Sequence, residues 1–332
     1  MRIAINGFGR IGRTVLRILS DRKDIDVVAI NDISDNKGLM YLFKYDTVMG
    51  IFKGEIGLED GIFKVNHHNI KMTAIREIEQ LPWKELKVDL VVEATGVFRK
   101  RAMIAKHLEA GAKKVILTVP SQDEIDATVV LGVNDEVLKA EHHIVSNASC
   151  TTNCLAPLAK VLDENFGIVK GVMTTIHAYT NDQRLADVPH KDLRRSRAAA
   201  ENIIPTTTGA ARAVGKVLPN LKGKLDGMAM RVPVPDGSTV DLVTEMDKEV
   251  SVEAVNSLVR QASEGPLKDI LEYCEEPIVS SDVIGNAHSS IFDALSTQVL
   301  GGKLLKTISW YDNEWGYSSR VVDLMGRLRE YI

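Results

Sequence analysis

Three glycines near the start of the chain restrict its fold more than any other feature. Gly7, Gly9 and Gly12 follow the strand-like run RIAIN and precede a segment in which apolar residues recur at helical spacing. A second strand-like run ends at Asp32, twenty residues after Gly12. A G-x-G-x-x-G loop between a strand and a helix, with an acidic residue at this distance, predicts a parallel strand–helix–strand unit that binds a dinucleotide.

Each residue of this fingerprint has its own expected role. Gly7 permits the tight turn, Gly9 lets the backbone approach a pyrophosphate, and Gly12 allows the helix to pack closely against the strand. Asp32 would accept hydrogen bonds from a ribose and repel a 2′-phosphate, so we predict NAD rather than NADP. The alternative is a glycine-rich turn that binds nothing, with an aspartate at the strand end.

The two halves of the chain differ in pattern. In the first half, β-branched runs alternate with helical segments, which predicts a parallel sheet covered on both faces. In the second half the strand-like runs predict an antiparallel or mixed sheet. We therefore predict an α/β fold with an N-terminal Rossmann-like domain over residues 1–149 and an α+β catalytic domain over residues 150–314. The amphipathic segment 315–332 is expected to form a helix that packs back on the first domain.

Composition excludes several classes of protein. The 332 residues are 45% hydrophobic and carry a net charge of −4, so no basic field favours nucleic acid or an anionic membrane surface. No apolar run approaches the roughly 18–20 residues that span a bilayer, and the first residues enter a strand without a signal peptide. Three cysteines are too few for a secreted disulfide framework. We expect a cytoplasmic protein.

The stretch SNASCTTNC contains two of these cysteines, Cys150 and Cys154. The residues after Cys150 form an amphipathic helical pattern that ends at Gly167, so Cys150 is predicted at a helix N-terminus, where dipole and free N–H groups stabilise a thiolate. Cys154 falls one turn later on the apolar face and is expected in the core. We expect no metal site, because zinc needs about four ligands and Cys274 lies far along the chain.

A nucleophilic cysteine also needs a base and, for an anionic substrate, an anion site. His177 follows an apolar strand-like run and is the candidate base, although a lone histidine is more often structural. Arg231 lies between apolar residues and needs an anionic partner. Other residues suited to binding phosphate are Thr180, Arg194, Arg195, Arg197, Thr206, Thr207, Thr208 and Gly209. The alternative for RRSR is a solvated basic face or a subunit contact.

Together these motifs resemble the phosphorylating glyceraldehyde-3-phosphate dehydrogenases. The resemblance runs from AINGFGRIGR through SNASCTTNC, HAYTNDQ, DLRRSRAAAENIIPTTTGAA, RVPVPDGS and SWYDNEWGYS. It implies a homotetramer that oxidises glyceraldehyde 3-phosphate to 1,3-bisphosphoglycerate with NAD and inorganic phosphate, through a cysteine hemithioacetal and thioester. The related erythrose-4-phosphate dehydrogenases are the alternative among enzymes, and a redox sensor that uses Cys150 is an alternative of another class.

The resemblance also implies roles for individual residues. Cys150 would be the nucleophile and His177 the base that activates it. Besides the three glycines, the residues that would hold NAD are Arg10, Ile11, Asp32, Arg76, Thr118 and Asn313. Those that would bind the substrate and phosphate are Ser149, Thr151, Thr180, Arg195, Thr208, Gly209 and Arg231. Asn313 would contact the nicotinamide amide with Tyr317 nearby, and residues 178–202 would reach across a subunit interface.

Overall fold

The computed structural model describes all residues from 1 to 332 and divides the chain into two compact units. The first unit comprises Met1–Val129, Asp135–Ser149 and Ser318–Ile332, and the second comprises Val130–Asn134 and Cys150–Tyr317. The first unit is therefore discontinuous in sequence. None of the helices combines the length and the apolar character that a bilayer span requires.

The first unit contains most of the short strands of the chain. Its strands are β1 (Arg2–Asn6), β2 (Asp26–Asn31), β3 (Tyr45–Asp46), β4 (Gly50–Ile51), β5 (Ile56–Glu59), β6 (Ile62–Val65), β7 (His68–Thr73), β8 (Leu90–Glu93), β9 (Lys114–Leu117), β10 (Ala127–Thr128) and β11 (Ile144–Ser146). Its helices are α1 (Arg10–Leu19), α2 (Asn36–Lys44), α3 (Arg101–Ile104) and α4 (Lys106–Glu109).

Nine of these strands form one sheet, in the order β10-β11-β9-β8-β1-β2-β7-β6-β5. All neighbours from β10 to β7 pair in parallel. The first two strands in sequence are neighbours, and β1 pairs with β8 on its other side, so the strand order switches at β1. In open α/β sheets, ligands bind at the carboxyl ends of the strands at such a switch point.

Two hairpins give this sheet an antiparallel edge that the sequence pattern did not predict. β5 pairs antiparallel with β6, and β6 with β7. Between β5 and β6 the chain turns through Asp60 and Gly61, whose φ angles are 49° and 75°. An Asp-Gly pair with positive φ at both positions is the preferred turn of a two-residue hairpin. The Asp-Gly signal was therefore present in the sequence, although the strands beside it are short.

The second unit is built on one sheet of seven strands, in the order β13-β14-β12-β15-β18-β17-β16. These strands are β12 (Ile168–Ala178), β13 (Ile204–Thr207), β14 (Leu225–Val232), β15 (Ser238–Met246), β16 (Leu271–Cys274), β17 (Ser290–Leu300) and β18 (Leu304–Tyr311). Its helices are α5 (Cys150–Phe166), α6 (Ala210–Val217) and α7 (Val252–Glu264), and the final helix α8 is Trp315–Arg329.

This second sheet is mixed. β12–β14 and β16–β17 pair in parallel, and the other neighbours pair antiparallel. α5 packs against β17 and β18 and is buried along most of its length, since its polar residues face protein as well. The predicted fold class, a Rossmann-like domain followed by a domain with a mixed sheet, is confirmed.

Candidate active site

The loop between β1 and α1 is packed so closely that two of its glycines cannot carry a side chain. Gly7 has a φ angle of +93°, and a Cβ atom there would lie 2.6 Å from the backbone nitrogen of Thr95. A Cβ atom at Gly12 would lie 2.2 Å from the carbonyl oxygen of Gly7. At Gly9 a Cβ atom would meet nothing within 4 Å. Packing therefore requires Gly7 and Gly12, whereas Gly9 borders open space.

A cavity of about 430 Å³ adjoins this loop at the carboxyl ends of β1 and β2. Four residues predicted to hold NAD line it, namely Gly7, Gly9, Asp32 and Arg76. The carboxylate of Asp32 accepts hydrogen bonds from the backbone N–H groups of Phe8 at 2.8 Å and Ser34 at 2.9 Å. These two bonds hold the carboxylate in place at the end of β2.

Three other residues predicted to hold NAD, Arg10, Ile11 and Thr118, do not line the cavity. Arg10 and Ile11 form the first turn of α1, and Arg10 pairs with Asp46 at 2.7 Å. The hydroxyl of Thr118 donates to the carbonyl oxygen of Glu93 at 3.0 Å. Arg10 and Ile11 lie at the positive end of the α1 dipole, a position that suits a phosphate.

Beneath the cavity lies a buried polar network that the sequence reasoning missed. Glu93 and His107 have no solvent exposure. The carboxylate of Glu93 accepts hydrogen bonds from Nδ2 of Asn6 at 2.6 Å and from Nε2 of His107 at 3.0 Å. Nδ1 of His107 accepts from the indole N–H of Trp83 at 3.0 Å. Asn6 lines the cavity, so this network holds the cavity floor. The sequence contained one sign of this network: the strands β1 and β8 each end on a polar residue, Asn6 and Glu93.

In the second unit, Cys150 and His177 come from different elements and meet through their side chains. Cys150 is the first residue of α5, and His177 is the second-last residue of β12. Sγ of Cys150 lies 3.5 Å from Nε2 of His177. His177 is 5% exposed, and Cys150 is partly exposed as a residue although its thiol is buried. A thiol and an imidazole at this separation form the pair required for nucleophilic catalysis.

Arg231 determines which nitrogen of His177 carries the proton. β14 pairs with β12 and places Arg231 opposite His177. Nη1 of Arg231 lies 2.7 Å from Nδ1 of His177 and 2.9 Å from the carbonyl oxygen of Ala178. That oxygen is also 2.7 Å from Nδ1, but a proton on Nδ1 would lie against the guanidinium group. Because a guanidinium group only donates, we assign the acceptor role to Nδ1 and the ring proton to Nε2, which faces Cys150.

Burial and charge have opposite effects on the thiol of this pair. Burial raises the pKa of the Cys150 thiol, an effect that the positive charge of Arg231 opposes. Burial, with Arg231 as the second cause, lowers the pKa of His177 to about 3. The backbone N–H of Thr151 at the helix start lowers the pKa of the thiol, but by less than burial raises it. Burial thus acts against the charged forms of both side chains.

The residues that follow Cys150 along α5 face the interior. Thr151 is 4% exposed and Cys154 is 0% exposed, which confirms the predicted core position of Cys154. The Thr151 hydroxyl lies 2.9 Å from the hydroxyl of Tyr311, which is 2.9 Å from that of Thr175. All three cysteines are unpaired, and no three His, Cys, Asp or Glu side chains are grouped to hold a metal ion.

The guanidinium group of Arg195 is bound by neighbouring side chains. Its guanidinium group forms ion pairs with Asp182 and Asp192 and donates to the hydroxyl of Thr206 at 2.9 Å. That hydroxyl donates to Asp192 at 2.7 Å, which ties the three side chains together. A phosphate that binds Arg195 would therefore replace carboxylates rather than meet a free cation.

Other residues predicted to bind phosphate lie at the starts of two helices. Ser149 directly precedes α5. Gly209 is the N-cap residue of α6, and the hydroxyl of Thr208 accepts the N–H of Ala210 at 3.2 Å. Thr180 follows β12 by two residues. A helix start carries a partial positive charge, which suits an anion.

Asn313 follows β18 in the second unit, and its side-chain orientation is set by Ser238. The Ser238 hydroxyl accepts the N–H of Ala178 at 3.1 Å and donates to Oδ1 of Asn313 at 2.6 Å. Since the oxygen of the Asn313 amide is engaged in this way, its NH₂ group is the part that can donate to a ligand.

The chain matches the two domains of one enzyme family. Residues 1–101 match the NAD binding domain of glyceraldehyde 3-phosphate dehydrogenase, and residues 149–313 match its C-terminal domain. The match to the NAD binding domain confirms the predicted cofactor.

Similar proteins are known in several bacteria. The glyceraldehyde-3-phosphate dehydrogenase of Geobacillus stearothermophilus is 60% identical over 325 residues, which cover 98% of this chain and 97% of that protein. The protein of the same name from Borreliella burgdorferi is 58% identical over 335 residues, 99% of each chain. Glyceraldehyde-3-phosphate dehydrogenase 1 of Bacillus subtilis is 56% identical over 325 residues, 98% of this chain and 97% of the relative. These names do not favour the erythrose-4-phosphate alternative. The chain belongs to the glyceraldehyde-3-phosphate dehydrogenase family.

Proposed function

We propose that this chain oxidises glyceraldehyde 3-phosphate to 1,3-bisphosphoglycerate, with NAD as hydride acceptor and inorganic phosphate as second substrate. The observation that carries the proposal is the 3.5 Å contact between Sγ of Cys150 and Nε2 of His177, with Arg231 on the far side of the imidazole. Acyl transfer through a cysteine needs a nucleophile, a donor for the developing oxyanion and positive charge nearby. These three side chains supply those groups.

The first unit offers a cavity that fits NAD. This cavity lies at the switch point of the sheet, and Gly9 leaves its entrance open because it carries no side chain. The carboxylate of Asp32, which lines the cavity, is placed to bind a ribose. The residues proposed to hold NAD are Gly7, Gly9, Arg10, Ile11, Gly12, Asp32, Arg76, Thr118 and Asn313. The NH₂ group of Asn313 would donate to the nicotinamide carboxamide oxygen. When bound, NAD supplies the acceptor for the hydride.

The chemistry begins at Cys150. The Cys150 thiol first loses its proton to solvent water; the thiolate, favoured by the charge of Arg231, then attacks the aldehyde carbon, which forms a C–S bond and turns the carbonyl oxygen into an oxyanion. The Nε2 proton of His177 is directed at this place and donates a hydrogen bond to the oxyanion. Loss of hydride from the same carbon turns the oxyanion into the carbonyl of a thioester, so no proton has to be removed. We therefore propose that His177 acts as a neutral hydrogen-bond donor, and the base role implied by the family resemblance is the alternative.

The second half of the reaction releases the product. Inorganic phosphate attacks the thioester carbonyl, the C–S bond breaks, and an acyl phosphate leaves while Cys150 regains its thiolate. The site therefore needs two anion positions, one for the phosphate already on the substrate and one for the attacking phosphate. We assign these positions to Ser149, Thr151, Thr180, Arg195, Thr208, Gly209 and Arg231. Thr151 would contribute its backbone N–H, because its hydroxyl contacts Tyr311.

We also propose that the chain forms a homotetramer in which residues 178–202 contact a neighbouring subunit. In support, this segment exposes two large apolar side chains, Leu185 at 85% and Leu193 at 81%. Large exposed apolar groups of this kind mark interaction surfaces. Light scattering of the purified protein is expected to give the mass of four chains, and a mass of one chain would contradict the proposal.

We place the protein in the cytoplasm, also as a proposal. Its three cysteines are unpaired, which agrees with a reducing compartment. Detection of the chain in fractionated cells tests this placement, and recovery in the medium would contradict it.

The proposed reaction is tested by the phosphate dependence of NADH formation from glyceraldehyde 3-phosphate. Inorganic phosphate releases the acyl group from Cys150, so steady-state NADH formation is expected to require phosphate. In the absence of phosphate, one equivalent of NADH per active site is expected to form. Absorbance at the NADH band in rapid mixing with and without phosphate measures both quantities. A steady-state rate that does not depend on phosphate would contradict the thioester route. A larger kcat/KM for erythrose 4-phosphate would instead favour the alternative enzyme.

A further inference from the structure

Two buried carboxyl groups lie on either side of the backbone of Asn313. Asp236 precedes β15 and Asp312 follows β18, and each is 1% exposed. The charged groups that act on Asp236 are two further carboxylates, Asp312 and Glu314. Adjacent buried carboxylates cannot both remain ionised, because each raises the cost of charging the other. One proton must therefore stay between Asp236 and Asp312.

Burial raises the pKa of Asp312 as well, but several backbone N–H groups act against this rise. Its carboxylate accepts backbone N–H groups from Gly285 at 2.7 Å, Glu314 at 2.8 Å and Trp315 at 2.6 Å. Trp315 begins α8, so Asp312 also lies at the positive end of a helix dipole. Three hydrogen bonds and this dipole stabilise a negative charge on Asp312.

Asp236 has the opposite surroundings. Its Oδ1 accepts the N–H groups of Gly237 at 2.8 Å and Asn313 at 3.3 Å, but its Oδ2 is buried without a donor. A proton on Oδ2 gives this oxygen a hydrogen-bond partner, because the resulting O–H group can donate to the carboxylate of Asp312. Burial, followed by the charges of Asp312 and Glu314, raises the pKa of Asp236 to about 9. The proton of the pair is thus on Asp236.

Asp236 connects to two groups of the proposed reaction. Through Oδ1 it holds the backbone of Asn313, whose side chain is oriented by Ser238. In addition, a negative charge on Asp236 raises the pKa of the Cys150 thiol. Ionisation of Asp236 would therefore disturb both the nicotinamide contact and the nucleophile, whereas the neutral acid disturbs neither.

We propose that Asp236 is a positioning residue that works as a neutral carboxylic acid: by donating its proton to Asp312 it holds Asn313 in place and spares Cys150 a nearby negative charge. The part that concerns Asn313 rests on the proposed function. The part that concerns Cys150 does not, because the reactivity of a thiol can be measured without substrate or cofactor.

Two substitutions distinguish the effect of the acidic proton of Asp236 from the effect of its whole carboxyl group. Asp236→Asn keeps an oxygen that accepts from Gly237 and Asn313 and replaces the acid proton by an amide N–H that cannot ionise. Asp236→Ala removes the whole carboxyl group, so Asp312 loses the O–H donor of Asp236 and keeps only its backbone N–H donors. Asp226→Asn is the matched control, because Asp226 is an exposed aspartate of the same unit on β14.

Alkylation of Cys150 by iodoacetamide as a function of pH gives the first readout. The pKa values of both Asp236 and the Cys150 thiol are raised by burial, and a charge formed on Asp236 would delay thiolate formation in the wild type. We expect the Asp236→Asn profile to have its midpoint at lower pH than the wild type, and the Asp226→Asn profile to follow the wild type. Coincident profiles for the wild type and Asp236→Asn would overturn the assignment of the proton.

Steady-state kinetics give the second readout. Loss of the acid in Asp236→Ala is expected to raise KM for NAD⁺ about tenfold, since a buried hydrogen-bonded group loses its partner. Asp236→Asn is expected to recover most of this loss and to keep its kcat/KM at pH values at which that of the wild type falls. An unchanged KM in Asp236→Ala would overturn the positioning role. If Asp236→Ala does not fold, the wild type and Asp236→Asn alone decide the proposal through their pH profiles.

Discussion

Replacing Cys150 by serine is expected to lower kcat by at least about 10³-fold. A serine hydroxyl is a far weaker acid than a thiol, and no neighbouring group can accept its proton, because Nε2 of His177 already carries one. The affinity for NAD is expected to stay within about twofold of the wild type, because the cavity near Gly9 belongs to the first unit. Steady-state NADH formation measures the first effect, and calorimetric titration with NAD⁺ measures the second.

Cys274→Ser is the matched control for this substitution. Cys274 is the last residue of β16 and is partly exposed, and its sulfur contacts the backbone of Glu276. The same change of sulfur to oxygen at Cys274 is therefore expected to leave kcat unchanged. If Cys150→Ser kept more than a few per cent of the wild-type rate, another residue would have to be the nucleophile.

The second large effect is expected at His177 and distinguishes a donor from a base. Removal of the imidazole in His177→Ala is expected to lower kcat by about 10²–10³-fold, the usual loss for one oxyanion donor in a buried site. His177→Asn keeps an N–H donor but no basic nitrogen, so we expect it to recover at least about tenfold of the loss. His177→Ala loses the donor that faces the thiolate, so its alkylation profile at Cys150 is expected to move to higher pH, by more than that of His177→Asn.

The comparison of the two variants decides the role of His177. Equal rates for His177→Ala and His177→Asn would show that a basic nitrogen is needed, and the proton-accepting role expected from the sequence would stand. Because the substitutions lie beside Arg231, NAD affinity and thermal stability of both variants serve as controls for local folding.

The features that could be predicted from the sequence are those determined by neighbours along the chain. The spacing of Gly7, Gly9 and Gly12 was sufficient to predict a strand–helix unit, because a tight turn and a close helix impose that spacing wherever it occurs. The helical period after Cys150 likewise placed that residue at a helix start and Cys154 in the core. Such features depend on backbone geometry over one or two turns.

What could not be predicted depends on residues that are distant in sequence. The pKa of the Cys150 thiol is raised because the folded second unit removes water from the sulfur, which outweighs the local helix start. Asp236 and Asp312 become a pair only because β15 and β18 are neighbours. The same holds for Glu93 and His107. A single polar residue does not form a periodic pattern, so the contacts within these two pairs could not be predicted from the sequence.

The discontinuity of the first unit has a consequence for synthesis on the ribosome. Residues 318–332 belong to this unit, and Val321, Leu324 and Leu328 of α8 are completely buried. Because residues 318–332 follow the main part of the second unit in the chain, the first unit cannot bury these side chains until the second unit has been translated. Although the dinucleotide-binding unit is synthesised first, it is completed last.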